Sequence, residues 1–280
     1  MKLLPIGLAI ALVSPVYAAE DPAKKAYLPD LSLRQAWIAP SRAGGGADRI
    51  GINRTQAEAS YEIFKGTSAG VSEQYTTISG RGQSGLPASL SLLEFPLESY
   101  IPVPLSSEKT FVRLGATPAF AADRLRVSGK DFLFPYDAQY IYRVSSELDI
   151  GVGVVFGQGF SRDYFPIAGF VFHPGMMTVS LTDEFAVAYQ VDPLDRVFAE
   201  YGGFLGADEY RTRNTPFLKN DVLEFREEFA GVGAQRTKGL WTLSARIGQA
   251  FNRRLRMRES PLEVKIKPGV YLVGGLDREF

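Results

Sequence analysis

Apolar and polar residues alternate with a period of two along several segments of this chain. Between Trp241 and Phe251 the odd positions are mostly large and apolar, while the even positions carry Thr, Ser, Arg, Gly and Ala. The segments 148–156 and 112–116 show the same alternation. Successive side chains of a β-strand point to opposite faces, so this pattern predicts strands with one apolar face and one polar or small face. No segment shows a sustained helical period, and the chain is therefore predicted to be nearly all β.

The connections between the predicted strands alternate between short and long. Strands are expected at 51–65, 88–104, 109–120, 136–143, 147–156, 163–172, 176–181, 184–191, 196–206, 221–236, 240–253 and 269–280. Every second connection is short, whereas long polar loops are expected at 66–87, 121–135, 207–220 and 254–268. Bacterial outer-membrane barrels have an even strand count, short periplasmic turns and longer extracellular loops. The pattern predicts a single closed antiparallel transmembrane β-barrel, an up-and-down meander of about 12 strands within a range of about 10–14.

Three regions are expected along the chain. Residues 1–18 have the basic, apolar and small-residue stretches of a cleaved secretory signal peptide. Residues 19–48 contain several Pro and Gly residues and are expected to form a periplasmic leader, although Leu31 to Ala39 has the pattern of an additional strand. The barrel is expected over 49–280. Export and the barrel pattern together predict a location in the bacterial outer membrane, with outer-membrane lipid around the barrel.

Composition narrows the function classes. Lys and Arg together number 31, as do Asp and Glu, so no net field attracts nucleic acid and no nucleic-acid partner is expected. The chain has no Cys and a single His, which is His173 in a His-Pro-Gly turn. A disulfide framework, a transition-metal centre and a hydrolytic Ser–His pair are therefore not expected. We predict neither enzymatic activity nor a bound cofactor or metal.

The last predicted strand carries a candidate assembly signal. Val270, Leu272, Leu276 and the terminal Phe280 fall on one face of this strand. The pattern resembles the C-terminal signal that the barrel-assembly machinery recognises, which is an aromatic terminus preceded by apolar residues at alternate positions. Phe280 and Leu276 are therefore expected to contact that machinery during insertion. Arg278 departs from the pattern, because an apolar or aromatic residue is usual two places before the end.

The C-terminal half also resembles a known group of proteins. The motifs are Phe165-Pro166-Ile167-Ala168-Gly169-Phe170, Val187-Ala188-Tyr189 and Asn252-Arg253-Arg254-Leu255, followed by a final Gly-Val-Tyr-Leu strand. They resemble a bacterial domain-of-unknown-function family of predicted outer-membrane β-barrels. The resemblance implies a barrel and carries over no catalytic residue.

Charged residues on the polar faces of the strands are the candidate lumen-lining residues. If Thr237-Lys238-Gly239 forms a three-residue hairpin loop, Ser244 faces Val232 and Gly248 faces Glu228. In this register Glu227 and Gln249 lie on the lipid-facing side. The residues expected to line the lumen are Arg113, Arg143, Glu224, Arg226, Glu228 and Arg246, with Arg246 diagonal to Glu228.

We predict that such a mixed-charge lumen forms a narrow passive channel for small solutes, and a non-conducting barrel is the alternative that remains open. The charges set the solute preference of a narrow passive channel, or they form ion pairs that close a non-conducting structural barrel acting through its extracellular loops. About twelve strands lie between the filled eight-stranded barrel and the open sixteen-stranded porin, so barrel size does not decide between them. A secreted periplasmic β-sandwich is a third alternative. The sequence does not identify a solute or an oligomeric state.

Overall fold

The computed structural model describes residues 29–44, 49–80, 85–103, 109–123, 129–157, 159–160, 164–182, 184–203, 208–212 and 221–279. Over these residues the chain forms nineteen β-segments in one sheet. Within the same ranges there is no helix long and apolar enough to cross a membrane. The predicted signal peptide at 1–18 and the terminal Phe280 lie outside the described residues.

In the described ranges the segments follow one another along the chain without other regular structure between them. They are β1 Asp30–Arg42, β2 Arg49–Phe64, β3 Thr67–Ser79, β4 Ser89–Glu94, β5 Leu97–Pro102, β6 Thr110–Ala116, β7 Ala119–Ala122, β8 Phe132–Leu133, β9 Tyr136–Arg143, β10 Leu148–Phe156, β11 Tyr164–Phe172, β12 Met177–Leu181, β13 Phe185–Gln190, β14 Asp195–Gly202, β15 Asp208–Thr212, β16 Asp221–Lys238, β17 Trp241–Met257, β18 Glu263–Ile266 and β19 Gly269–Arg278. Five pairs of consecutive segments, β4/β5, β6/β7, β8/β9, β14/β15 and β18/β19, each form one interrupted strand. The wall therefore contains fourteen strands.

The first and last strands close the sheet into a ring. Antiparallel pairing joins β1 both to β2 and to β19, with Leu31 opposite Arg278 and Ile38 opposite Tyr271. The predicted closed antiparallel meander is confirmed, and the count of fourteen lies at the upper end of the predicted range. The short connections and both described chain ends lie at one end of the barrel, here called the turn end. The opposite end is called the loop end.

Two wall strands lie where a leader and a loop were expected. β1 begins at Asp30, so the leader boundary at residue 48 is wrong for this segment, and the additional strand indicated at 31–39 is confirmed. β3 occupies much of the expected loop 66–87. Its outward positions include Ala69, Glu73 and Thr77, so no continuous apolar face marks it in the sequence. The expected loops at 121–135, 207–220 and 254–268 likewise contain β8, β15 and β18.

Apolar side chains cover the outside of the barrel. On β17, Leu243 and Ile247 are 63% and 53% exposed, whereas Thr242 and Ala250 are buried on the inner side. Val152 on β10 and Val270 on β19 are exposed in the same way. An outward apolar band with polar or small residues inside is the arrangement that a lipid-facing barrel wall requires.

Aromatic rings border this apolar band at both ends. Near the loop end, rings of the wall between β7 and β11 form a continuous row with centroid separations of 4.5–6.4 Å, made by Phe120, Phe132, Phe134, Tyr136, Phe156 and Tyr164. Near the turn end, Trp241, Tyr142 and Tyr189 are exposed. The Arg278 guanidinium lies 5.1 Å from the Trp241 ring, which explains how a cation is accommodated near the end of the last strand.

The β16–β17 hairpin has a different register from the predicted one. Lys238 pairs with Trp241, so the loop has two residues, and Gly239 adopts the left-handed φ of +62°. Val232 consequently lies opposite Ile247 rather than Ser244. The predicted three-residue loop is wrong, and the resulting shift by an odd number of residues exchanges the inner and outer faces of β16.

The wall is lower at the hairpin of β12 and β13 than elsewhere. β12 and β13 have five and six residues, and β11 pairs with β12 only over Phe170–Phe172. Among the described residues, the loop-end part of β11 therefore has a neighbour only on the β10 side. Pro166 lies in this part. Proline has no backbone N–H to donate, so it is tolerated at such a strand edge.

The assignment of faces on β17 predicts opposite outcomes for adjacent substitutions. Leu243→Arg should impair assembly into the membrane, because it turns a cation toward hydrocarbon on the outer face, just inside the aromatic border at Trp241. Ser244→Arg should be tolerated, because Ser244 lines a polar cavity inside the barrel. Heat-modifiable migration in gels after insertion into lipid vesicles measures both variants. Equal loss of folded protein in the two would show that the faces are assigned incorrectly.

Candidate functional site

The turn-end half of the lumen contains an open polar cavity of about 620 Å³, here called the vestibule. Side chains of both charges line it, among them Arg34, Glu58, Gln235, Ser244, Arg246 and Asp277. The Ser32 hydroxyl donates to the Asp277 carboxylate at 2.6 Å. The vestibule is therefore a water-compatible space with ordered polar walls.

Glu200 on β14 is the buried anion at the inner side of the vestibule. Its carboxylate accepts a hydrogen bond from the Tyr271 hydroxyl at 2.9 Å and pairs with Arg246 Nη1 at 3.0 Å. The Arg246 guanidinium also lies 5.4 Å from the centre of the Phe198 ring. A side chain at Gly248 would prevent this arrangement, because its Cβ would lie 2.5 Å from Tyr271 Cε1. The glycine thus provides the space in which the cluster forms.

A second cluster lies on the wall made by β5, β6 and β9. Arg113 on β6 pairs with Glu98 on β5 and with Asp137 on β9, where Nη1 and Oδ2 are 2.7 Å apart. Nearer the turn end, Arg143 Nε lies 2.9 Å from Asp149 Oδ1. These guanidinium groups are bound by carboxylates of neighbouring strands, so they stabilise the wall as well as line it.

A layer of charged groups crosses the lumen above the vestibule. Arg54 on β2 lies 3.8 Å from Asp208 on β15, which belongs to the opposite wall. Arg253 on β17 is fully buried and pairs through Nε with Glu227 of β16 at 3.0 Å. The Gln74 side-chain amide on β3 donates to the Tyr210 hydroxyl on β15 at 2.9 Å, which also spans the lumen. The two walls are therefore tied to each other at this level.

The loop-end half of the lumen is filled by apolar side chains, here called the plug. The most deeply buried of these come from both walls, and they include Ile50, Leu90, Tyr210, Leu223, Leu255 and Met257, each at most 1% exposed. The backbones of the opposite walls also meet, because Ala122 of β7 forms a bridge with Arg211 of β15. The Asp123 N–H donates to the Arg211 carbonyl at 3.0 Å. The described parts of these two walls thus close against each other at this level of the lumen.

Three of the six predicted lumen-lining residues face the interior. Arg113, Arg143 and Arg246 lie inside, although Arg246 pairs with Glu200 and not with Glu228. Glu224, Arg226 and Glu228 face outward, because they alternate with the inward side chains of Leu223, Phe225 and Phe229. The lumen prediction is wrong for these three, and the odd register shift at the β16–β17 turn is the reason.

The outward group on β16 forms its own polar cluster. The Glu228 carboxylate accepts hydrogen bonds from Tyr201 at 3.0 Å and Asn252 at 2.9 Å, and Arg226 lies 3.2 Å away. It lies next to Phe251, whose ring stacks on Tyr201 near the loop-end border of the apolar band. Glu224 pairs with Arg258 at 3.3 Å still nearer the loop end. Polar groups at a membrane border cost little, since the penalty falls toward zero there.

Several interior residues were not predicted from the sequence. Glu227 was expected on the lipid side and instead pairs with Arg253 inside the barrel. Glu200 could have been found from the sequence, because it is an acidic residue on the polar face of an alternating strand, between outward Ala199 and Tyr201. The role of Tyr271 could not be recognised from the sequence. It is an inward aromatic residue on a strand with small inner residues, and only its contact with Glu200 shows what it does. Leu276 is exposed on the outer face, and its role in the assembly signal stays a prediction.

Comparisons with known proteins show that the fold of this chain is similar to that of solved outer-membrane barrels. No protein-family model and no curated protein matches the chain, so the resemblance to the domain-of-unknown-function family stays a prediction. The KdgM porin structure in complex with disordered oligogalacturonate aligns with 90% of this chain and 99% of its own, at 10% identity and a TM-score of 0.40. The NanC porin aligns with 89% of this chain and 100% of its own, at 11% identity and a TM-score of 0.42. A Pseudomonas aeruginosa FadL homologue aligns with 90% of each chain, at 8% identity and a TM-score of 0.42.

The chemistry available in the described lumen is electrostatic. No group of three or more His, Cys, Asp or Glu side chains in the described ranges is arranged to hold a metal ion. The arginine–carboxylate pairs and the Tyr271 hydroxyl provide hydrogen bonds to polar molecules that enter the vestibule.

The Glu200 cluster predicts a non-additive pair of substitutions. Arg246→Met should lower the free energy of unfolding by roughly 2–4 kcal/mol, because it leaves the Glu200 carboxylate, 2% exposed, without its cation. Adding Glu200→Gln should recover part of that loss, since the neutral amide needs no counter-charge. Urea unfolding in lipid vesicles measures both. Simple additivity of the two single substitutions would contradict a direct ion pair.

Proposed function

We propose that this chain is an exported outer-membrane β-barrel that is non-conducting at rest and acts through its surface. The outward apolar band, the aromatic borders and the closed ring support the membrane location. The short turns and both described chain ends lie together, which supports a periplasmic turn end and an extracellular loop end. The plug is the observation that carries the proposal of a closed lumen.

The plug argues against a permanently open pore on energetic grounds. A hydrated path through the loop end requires water among side chains such as Leu223, Leu255 and Met257, which are all buried. Exposing one such side chain costs about 1.5–3 kcal/mol, and several would be exposed together. The hydrogen bonds between Gln74 and Tyr210 and between Asp123 and Arg211 would also break. The closed arrangement is therefore the stable one.

The vestibule favours a second candidate function, a gated channel for small polar solutes. Its volume of about 620 Å³ and its mixed charges suit small hydrated molecules. In this candidate the plug is the gate, and the solute preference is set by paired charges such as Arg246 with Glu200. The passive channel expected from the sequence then requires an opening of the loop end.

Conductance in planar bilayers separates these functions. The wild-type barrel should show no conductance steps above background, because the plug excludes water. The double variant Leu223→Ala with Met257→Ala removes buried plug volume, at a cost of about 2–5 kcal/mol per side chain. Steps in this variant beside a silent wild type would show that the plug blocks the lumen, as both candidate functions require. Silence in this variant would count against the gated channel, in which the plug is the gate.

The matched control is Leu243→Ala with Ile247→Ala, which removes the same kind of side chain from the outer face. It should leave conductance unchanged. Heat-modifiable migration checks that both double variants are folded. Frequent steps from the wild-type barrel itself would contradict the proposed closed lumen.

A further inference from the structure

A basic surface lies on the outside of the barrel at the loop end, on four neighbouring segments of the wall. It consists of the outward cations Arg42, Arg49, Arg254, Arg256, Lys265 and Lys267 and is here called the basic patch. Their outward direction follows from buried neighbours in the chain. Arg42 lies between buried Ser41 and Ala43, and Ile266 is buried between the two lysines.

Strand pairing brings these cations close together. Arg42 on β1 lies directly opposite Arg49 on β2. The Lys267 N–H donates to the Arg42 carbonyl at 2.9 Å, which places this lysine beside the arginine pair. On the other side, Arg254 of β17 lies opposite Lys265. The patch is thus continuous across β17, β18, β1 and β2.

The cations of the basic patch outnumber the carboxylates beside them. Two outward carboxylates lie beside its β17–β18 part: Glu263 is 3.8 Å from both Arg254 and Lys265, and Glu224 of β16 lies opposite Arg256. The described outward side chains of β1 and β2 at the loop end include no carboxylate beside Arg42 and Arg49. Like charges directly opposite each other in a sheet are destabilising. The Arg42–Arg49 pair is such a case, and an anion bound between the two guanidinium groups would remove the repulsion.

The height of the patch indicates where the anion comes from. Arg254 lies three residues beyond Phe251 on β17, and Phe251 lies near the loop-end border of the apolar band. At about 3.3 Å per residue along tilted strands, the patch lies roughly 10 Å beyond the aromatic border. This is the level of the headgroups of the loop-side leaflet. Guanidinium groups bind phosphate in a bidentate geometry, which makes phosphate the anion that suits these arginines.

We infer that the basic patch binds the phosphate groups of a lipid in the outer leaflet. The inference rests on the membrane orientation proposed above, with the loop end outside, but not on whether the lumen conducts. The Arg42–Arg49 pair holds one phosphate, and Lys267 adds charge beside it.

The test measures binding of a bis-phosphorylated diglucosamine glycolipid to the full-length barrel in neutral detergent by native mass spectrometry. Arg42→Gln with Arg49→Gln should weaken binding at least about tenfold, because two charge-assisted contacts are lost. The matched control is Lys109→Gln with Lys238→Gln, which removes two exposed cations from the turn end. It should bind like the wild type. Heat-modifiable migration confirms that each variant is folded.

Two further arms identify the ligand chemistry. The dephosphorylated glycolipid should bind the wild type as weakly as the phosphorylated lipid binds the Arg42/Arg49 variant. Equal binding of the two lipids, or unchanged binding by the variant, would overturn the inference. Displacement of the lipid by an equal concentration of inorganic phosphate would also overturn it, since the patch would then be a site for free anions. These outcomes are independent of conductance, so they do not depend on the plug.

Discussion

The structure depends on the pairing of backbone groups around a closed ring. Hydrocarbon offers no hydrogen bonds, so each N–H and C=O in the lipid zone needs a partner within the wall. Pairing of β1 with β19 provides the last set of partners, which is why the segment that begins at Asp30 belongs to the barrel. Where the wall is short, at the β12–β13 hairpin, Pro166 reduces the number of donors at the open edge.

A ring of this size encloses a lumen that must be wetted or filled. The turn-end half is wetted, with paired charges such as Glu200 and Arg246 around the vestibule. The loop-end half is filled, since the walls approach until Ala122 and Arg211 pair. The charged layer at Arg54 and Arg253 lies between the two. The cations of the basic patch lie on the outer surface at the loop end, where they are accessible although the lumen at this end is filled.

Strands whose two faces differ in polarity could be predicted from the sequence, whereas strands whose two faces are alike could not. β10 and β17 have large apolar outer residues, and their faces were predicted correctly. β3 was missed because its outer face carries residues such as Glu73 and Thr77. The placement of Glu224, Arg226 and Glu228 failed for another reason, since it depended on the length of one turn. The plug could not be predicted, because it arises from contact between strands far apart in sequence.

The contact between Gln74 and Tyr210 tests the closed lumen most directly, because it joins opposite walls at 2.9 Å beside the plug. Solid-state NMR of the labelled barrel in lipid bilayers detects such a contact between the side-chain amide and the phenol ring. We expect a cross-peak between these groups, and we expect Tyr210 to be protected from water. Absence of the cross-peak, together with rapid exchange of magnetisation between Tyr210 and water, would contradict it.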